Sequence, residues 1–161
     1  MGQGMKIRKA VLDDATAIAN LTTELGYLAD VPAVTDRLSR LSDRSDDVVL
    51  VAEEDGVIAG WVQAHTSVVL ESGFRMEIVG LIVSDRFRRR GVGKALVDAV
   101  ESWGRECGAF VFTVRSNVRR AESHIFYPAL GYEKTKTQGV YRKRTKKTAE
   151  PGATDNPGDA Q

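Results

Sequence analysis

With 161 residues and 42% apolar content, the chain is long enough for one domain with a real core and too short for two ordinary ones. Its 23 basic and 22 acidic side chains leave a net charge of +1, which argues against a strongly basic nucleic-acid binder and makes any arginine cluster a local feature. The single cysteine, Cys107, cannot pair within the chain, and no segment has the length or apolarity of a signal peptide or membrane span, so a cytoplasmic protein with no membrane partner is expected.

Met5 to Ala10 alternates apolar and basic residues and predicts a strand. Asp13 and Asp14 offer an N-cap for a helix with Ala17, Ile18, Leu21 and Leu25 on one face, ended by Gly26. Pro32 can open a second helix in which Val34, Leu38 and Leu41 are spaced to pack, and the polar run 42–47 closes it. Val48 to Glu53 and Val57 to Val69 are β-rich and joined across Asp55-Gly56, a strong hairpin signal. Ser72-Gly73 precedes a third such strand, Met76 to Val83. The following helix carries Leu96, Ala99, Val100, Trp103 and Cys107 on one stripe and ends at Gly108, so Cys107 reads as a small buried hydrophobe. Phe110 to Val114 is a short strand, 115–120 a polar turn, Ala121 to Leu130 a helix stopped by Gly131, and Tyr132 to Arg142 a last strand.

The order β-α-α-β-β-β-α-β-α-β sets a strand–helix–strand unit at 76–114 beside a hairpin. It predicts an α/β (α+β) domain over residues 5–145, with a mixed central sheet and helices on both faces. From Lys146 the chain loses apolar periodicity, and 146–161 reads as a disordered tail.

Between the third β-rich strand of the 48–83 region and its helix, residues 88–96 read Arg-Arg-Arg-Gly-Val-Gly-Lys-Ala-Leu. Glycines at a helix entry let backbone N–H groups turn toward an anion, and the helix dipole favours negative charge there. The Walker loop is excluded, since Gly91 stands only two before Gly93 and Ala95 cannot ligand magnesium. The dinucleotide fingerprint is excluded because Leu96 fills its third glycine position. No metal site is expected.

Arg88-x-x-Gly91-x-Gly93 after a strand, followed beyond the next strand by Asn117, Ala121, Phe126-Tyr127 and Leu130-Gly131-Tyr132, resembles the GNAT superfamily of acyl-CoA-dependent N-acyltransferases. The spacing from Asn117 to Tyr127 is longer than the commonest form of that motif. The resemblance implies acetyl-CoA as cosubstrate, its pyrophosphate held by Arg88, Arg89, Arg90, Gly91, Val92, Gly93 and Lys94. It also implies a pantetheine arm running along Leu81, Ile82 and Val83, with Asn117, Arg120 and His124 turned to the cofactor. The implied reaction is direct attack of a primary amine on the thioester in a ternary complex. The acceptor is a small-molecule or peptide amine, and a homodimer is admitted.

Such a reaction needs a base for the amine, donors for the oxyanion and an acid for the departing thiolate. Tyr127 resembles the family's general-acid tyrosine, and Arg120, His124 and Tyr127 share one helical face, opposite Phe126, Ala129 and Leu130. Glu77 is expected as base, a carboxylate sharing a strand face with Val79, Leu81 and Val83 by period-two alternation. Glu71 and His124 are the other candidates for the base, and His65 reads as an ordinary strand residue. A backbone N–H within Leu81–Val83 is expected to serve the oxyanion, and the acceptor pocket to form around residues 24–32, which include Tyr27 and Asp30. The alternative is an acyl-CoA-binding regulatory module without turnover. A nucleic-acid binder using Arg86 to Arg90, the 115–120 segment and the basic run at 142–147 is the weakest reading.

Overall fold

The computed structural model describes residues 4–116 and 119–146. Asn117 and all of the expected tail except Lys146 lie outside the described residues. Five strands, β1 (Lys6–Lys9), β2 (Asp47–Glu54), β3 (Val57–Val69), β4 (Gly73–Val83) and β5 (Phe112–Val114), form one sheet in the order β1-β2-β3-β4-β5. Pairing is antiparallel from β1 through β4 and parallel between β4 and β5. The parallel pair follows from the helix that crosses between its strands. Four helices complete the fold: α1 (Ala15–Glu24), α2 (Val31–Ser42), α3 (Val92–Glu106) and α4 (Ala121–Ala129).

The sheet is covered on both faces, as expected. The α3 stripe Val92, Leu96, Val97 and Val100 packs with Val62, Ala64, Met76 and Ile78 in the larger core. On the other face, Ile18 of α1 and Leu38 of α2 meet Val51, with Trp61 and Val49 beside them. The hairpin turn has positive φ at Asp55 (51°) and Gly56 (77°), the pair of left-handed residues that an Asp-Gly turn supplies.

Two bulges interrupt the sheet. In β3 the ladder passes from Ala52↔Gly60 to Glu53↔Ile58, leaving Ala59 extra, and in β4 it passes from Gln63↔Gly80 to Ala64↔Ile78, leaving Val79 extra. An extra residue reverses which face later side chains take.

Three expectations are corrected. Tyr132 to Arg142 forms no strand. Tyr132 is tied to α4 by its N–H to the Tyr127 carbonyl, but strand propensity beyond it finds no ladder to satisfy its backbone. Cys107 is exposed, because it follows the last residue of α3, where the buried stripe has turned off the sheet. Asp14 does not cap α1 with its side chain.

The Asp14 carboxylate instead turns back, accepting from Arg8 Nη1 and Nη2 at 2.8 and 2.9 Å and from the Val11 N–H at 2.8 Å. The Arg8 guanidinium holds the Asp14 carboxyl below its usual value, against the opposing effect of burial. A carboxyl lowered in the folded state stabilises fully above its unfolded value, near 4, and loses that contribution as pH falls through and below it. Asp14→Asn is therefore expected to cost about 1.5–3 kcal/mol in urea unfolding at neutral pH, with the difference from wild type shrinking in acid. An equal deficit at both pH values would reject the ion pair as its source.

Candidate active site

The loop after β4 is built from backbone. Ser84 at the strand end is 4% exposed, accepts from the Arg86 N–H at 3.4 Å and donates to Glu24 Oε1 at 3.2 Å, which fixes the end of α1 beside the loop. Arg89 (φ 60°) and Gly91 (φ 79°) both adopt left-handed backbone, a sequence of conformations that turns successive N–H groups toward one concavity. Gly91 is the N-cap of α3 and has no side chain to cap it, so the first-turn N–H groups of Val92, Gly93 and Lys94 remain for an anion. The donor set fits a pyrophosphate.

The cations of the loop are mostly tethered. Arg88 pairs with Asp85 at 2.8 Å and with Glu122 of α4 at 3.2 Å, Arg90 with Glu54 at 2.6 Å, and Lys94 with Asp98 at 2.6 Å. Arg90 also lies over the Phe87 ring, 5.3 Å from its centroid. These exposed pairs are individually weak, so an incoming phosphate competes with them at little cost. Gly93 has a second reason to be glycine: a Cβ there would stand 3.1 Å from Phe126 Cζ of α4.

β4 runs from this loop back through the sheet. Its ladder with β5 covers only Met76↔Phe112 to Ile78↔Val114, so from Val79 to Val83 no strand pairs with its outer edge among the described residues. Leu81, Ile82 and Val83 thus lie along an edge able to accept an extended ligand chain.

The bulge at Val79 corrects the face expected for Glu77. Met76 and Ile78 point into the α3 core, and after the bulge so do Leu81 and Val83. Glu77 therefore lies on the opposite face, with Gly80 and Ile82. A Cβ on Gly80 would stand 2.8 Å from Trp61, whose indole N–H donates to Thr22 Oγ1 of α1 at 3.1 Å.

Glu77 is 8% exposed. Its carboxylate faces Arg75 Nη2 at 3.7 Å and Arg115 Nε at 3.6 Å. In the ladder it stands between His65 on β3 and Thr113 on β5, and His65 in turn stands opposite Asp47 on β2. His65 is thus the cross-strand neighbour of Glu77, a relation the sequence did not reveal. Glu71 is exposed in the β3–β4 turn, at the end of β4 remote from the loop.

On α4, Phe126 and Leu130 pack against the larger core as expected, whereas Ala129 is exposed. Arg120 and His124 are exposed and Tyr127 is half-buried. The Tyr127 ring meets Phe126 and Tyr132 edge-on, with centroids 5.0 and 5.8 Å away. Burial raises its phenol above the usual value of 10.0, and the charge of Arg120 opposes this. Arg120 also lies over the Tyr27 ring at 4.7 Å, which brings the α1–α2 connection against the start of α4. The Tyr27 hydroxyl is buried with no hydrogen-bond partner among the described residues.

The profile of the Acetyltransferase (GNAT) family matches residues 15–132, a span that includes the uncapped α3 entry and the bulged strand before it. The chain belongs to the GNAT acetyltransferase family. An aminoglycoside N(6')-acetyltransferase type 1 of Stenotrophomonas maltophilia is 29% identical to this GNAT protein over 140 residues, covering 84% of this chain and 91% of the relative. A protein of the same description from Salmonella typhimurium is 33% identical over 98 residues, 58% of this chain and 68% of the relative. Among solved structures, aminoglycoside N-acetyltransferase AAC(6')-Iy in complex with CoA superposes with a TM-score of 0.78 at 26% identity, covering 88% of this chain and 96% of that one. The AAC(6')-Iy complex with the bisubstrate analogue CoA-S-monomethyl-acetylneamine gives 0.77 at 25% identity, covering 89% and 100%. The protein is an acetyl-CoA-dependent N-acetyltransferase, and acetyl-CoA is its acyl donor. No described helix is long and apolar enough to cross a membrane.

Proposed function

We propose that this acetyltransferase acetylates a primary amine of a small, multiply cationic acceptor of the aminoglycoside kind, by direct attack with both substrates bound. The observation that carries the reading is the continuity of the uncapped α3 entry at Gly91 with the bulged end of β4, whose outer edge no described strand pairs. The acceptor class is supported by the relatives described as aminoglycoside acetyltransferases.

Arg89 and the N–H groups of Val92, Gly93 and Lys94 would hold the pyrophosphate, and Leu81 to Val83 the pantetheine arm. The cosubstrate supplies an acyl group already activated as a thioester. Glu77 takes the proton of the acceptor ammonium, and a backbone N–H within Leu81–Val83 faces the developing oxyanion. Tyr127 returns a proton to the departing sulfur. Arg120 sits between the two substrates' sides, touching Tyr27 and acting on Tyr127.

The deciding assay is thiol release from acetyl-CoA across aminoglycosides, simple polyamines, amino acids and peptide amines. Turnover confined to amino sugars is the expected result, and turnover with peptides alone would overturn the acceptor class. Glu77→Gln should move the kcat/KM profile toward higher pH, because only acceptor already deprotonated, with an amine pKa near 10, would then react. An unmoved profile would reject Glu77 as base.

A further inference from the structure

Acetyl transfer leaves the pyrophosphate of the acyl donor untouched: acetyl-CoA arrives and CoA departs with the same phosphates. Binding made to that group is equal in substrate, transition state and product, so beyond capturing the cofactor it only retards release. A loop that offers arginines and helix-entry N–H groups to such an anion holds product as firmly as substrate, unless something in the protein competes for the same donors.

Two carboxylates from outside the loop stand on its arginines. Glu54 closes β2, and because β2 and β4 are both antiparallel to β3, that strand end lies at the same end of the sheet as the loop. Glu54 Oε1 accepts from Arg90 Nη2 at 2.6 Å, and its side chain is only 21% exposed, held by the strand just before the hairpin turn. Glu122 lies in the first turn of α4, and both its oxygens accept from Arg88 Nη1, at 3.2 and 3.3 Å. The helix dipole favours a carboxylate there, so Glu122 can stand without Arg88. Neither arginine depends on its carboxylate for its place. Arg88 keeps Asp85 at 2.8 Å, and Arg90 keeps the Phe87 ring, 5.3 Å from its centroid.

We propose that Glu54 and Glu122 are internal competitors for the cofactor's phosphates. Each shares an arginine of the loop with the pyrophosphate, yielding it as acetyl-CoA binds and retaking it as product CoA leaves. The two carboxylates thereby set how tightly the cofactor is held and how fast product departs, without touching the reacting atoms. The inference rests on the reading that the α3 entry holds the pyrophosphate.

Glu54→Gln and Glu122→Gln remove the charge and keep the shape. Calorimetry is expected to show acetyl-CoA bound about two- to fivefold tighter in each variant, the equivalent of one exposed ion pair. Stopped-flow displacement should show CoA leaving correspondingly more slowly. As competitors of acetyl-CoA, inorganic pyrophosphate should show the same gain, and S-acetylpantetheine, which carries no phosphate, none. The gain should vanish where the shared arginine is absent: Glu54→Gln adds nothing to Arg90→Gln, and Glu122→Gln nothing to Arg88→Gln. Asp55→Asn removes a charge beside Glu54 without freeing Arg90, and should leave the affinity unchanged. Unchanged or weaker acetyl-CoA binding in the Gln variants would overturn the proposal, making the carboxylates bystanders or supports of their arginines. A gain that persists in the arginine variants, that S-acetylpantetheine shares or that Asp55→Asn reproduces would also overturn it, by reducing the effect to net charge. Should Gly93→Val leave acetyl-CoA affinity unchanged, the placement of the pyrophosphate falls and the competitors with it. Should Gly93→Val weaken binding while the Gln variants fail to strengthen it, the competitor role alone falls.

Discussion

Tyr127→Phe is expected to lower kcat by about 10²-fold or more while leaving acetyl-CoA affinity nearly unchanged. The substitution removes only an oxygen, and the ring contacts with Phe126 and Tyr132 that position the side chain survive it. Because burial raises its phenol and outweighs the opposing charge of Arg120, the side chain stays protonated throughout the neutral range. The wild-type advantage should therefore persist to the alkaline end of the profile. Stopped-flow or steady-state thiol release, with calorimetry for cofactor affinity, separates the two effects. Wild-type turnover in the variant would move the acid role to His124 or to solvent.

Gly93→Val should damage binding and turnover together. A Cβ at this position meets Phe126 at 3.1 and 3.2 Å and Val83 at 3.7 Å, so the branched side chain forces α4 away from the α3 entry. Overpacking of this kind costs about 1–3 kcal/mol, equivalent to roughly 5- to 150-fold in affinity when it falls on the bound state. Because α4 carries Tyr127, kcat should fall as well. Gly91→Ala isolates the other glycine: nothing stands within 4 Å of its Cβ, and the penalty there is the left-handed φ of 79°. A folded Gly93→Val protein with unchanged acetyl-CoA affinity would remove the loop from the cofactor site.

The element order through α4 was legible because each piece carries a period, a cap or a turn of its own. Asp55-Gly56 specified the hairpin, and the stripe from Leu96 to Trp103 specified the α3 layer. The glycine entry of α3, with its left-handed backbone at Gly91, was legible for the same local reason. The bulges were not. Nothing in the run from Met76 to Val83 marks Val79 as the residue without a partner, since the bulge is fixed by what β3 can pair with across the ladder. With it went the face of Glu77 relative to Leu81 and Val83, and the neighbours Arg115 and His65 come from other strands or their ends. The ion pairs that tether Arg88 and Arg90 also join residues more than thirty positions apart, to Glu122 and Glu54. Tyr132 to Arg142 has the composition of a strand, but composition cannot say whether the same chain offers an edge to receive it.

The phase reversal in β4 divides that strand into halves that can diversify separately. Before Val79, Arg75 and Glu77 can change the charge of the outward face while Met76 and Ile78 keep their places under α3. Beyond Val79 the outward positions become Gly80 and Ile82, under Trp61, while Leu81 and Val83 hold the core. The outward side chains of each half can thus change without repacking α3.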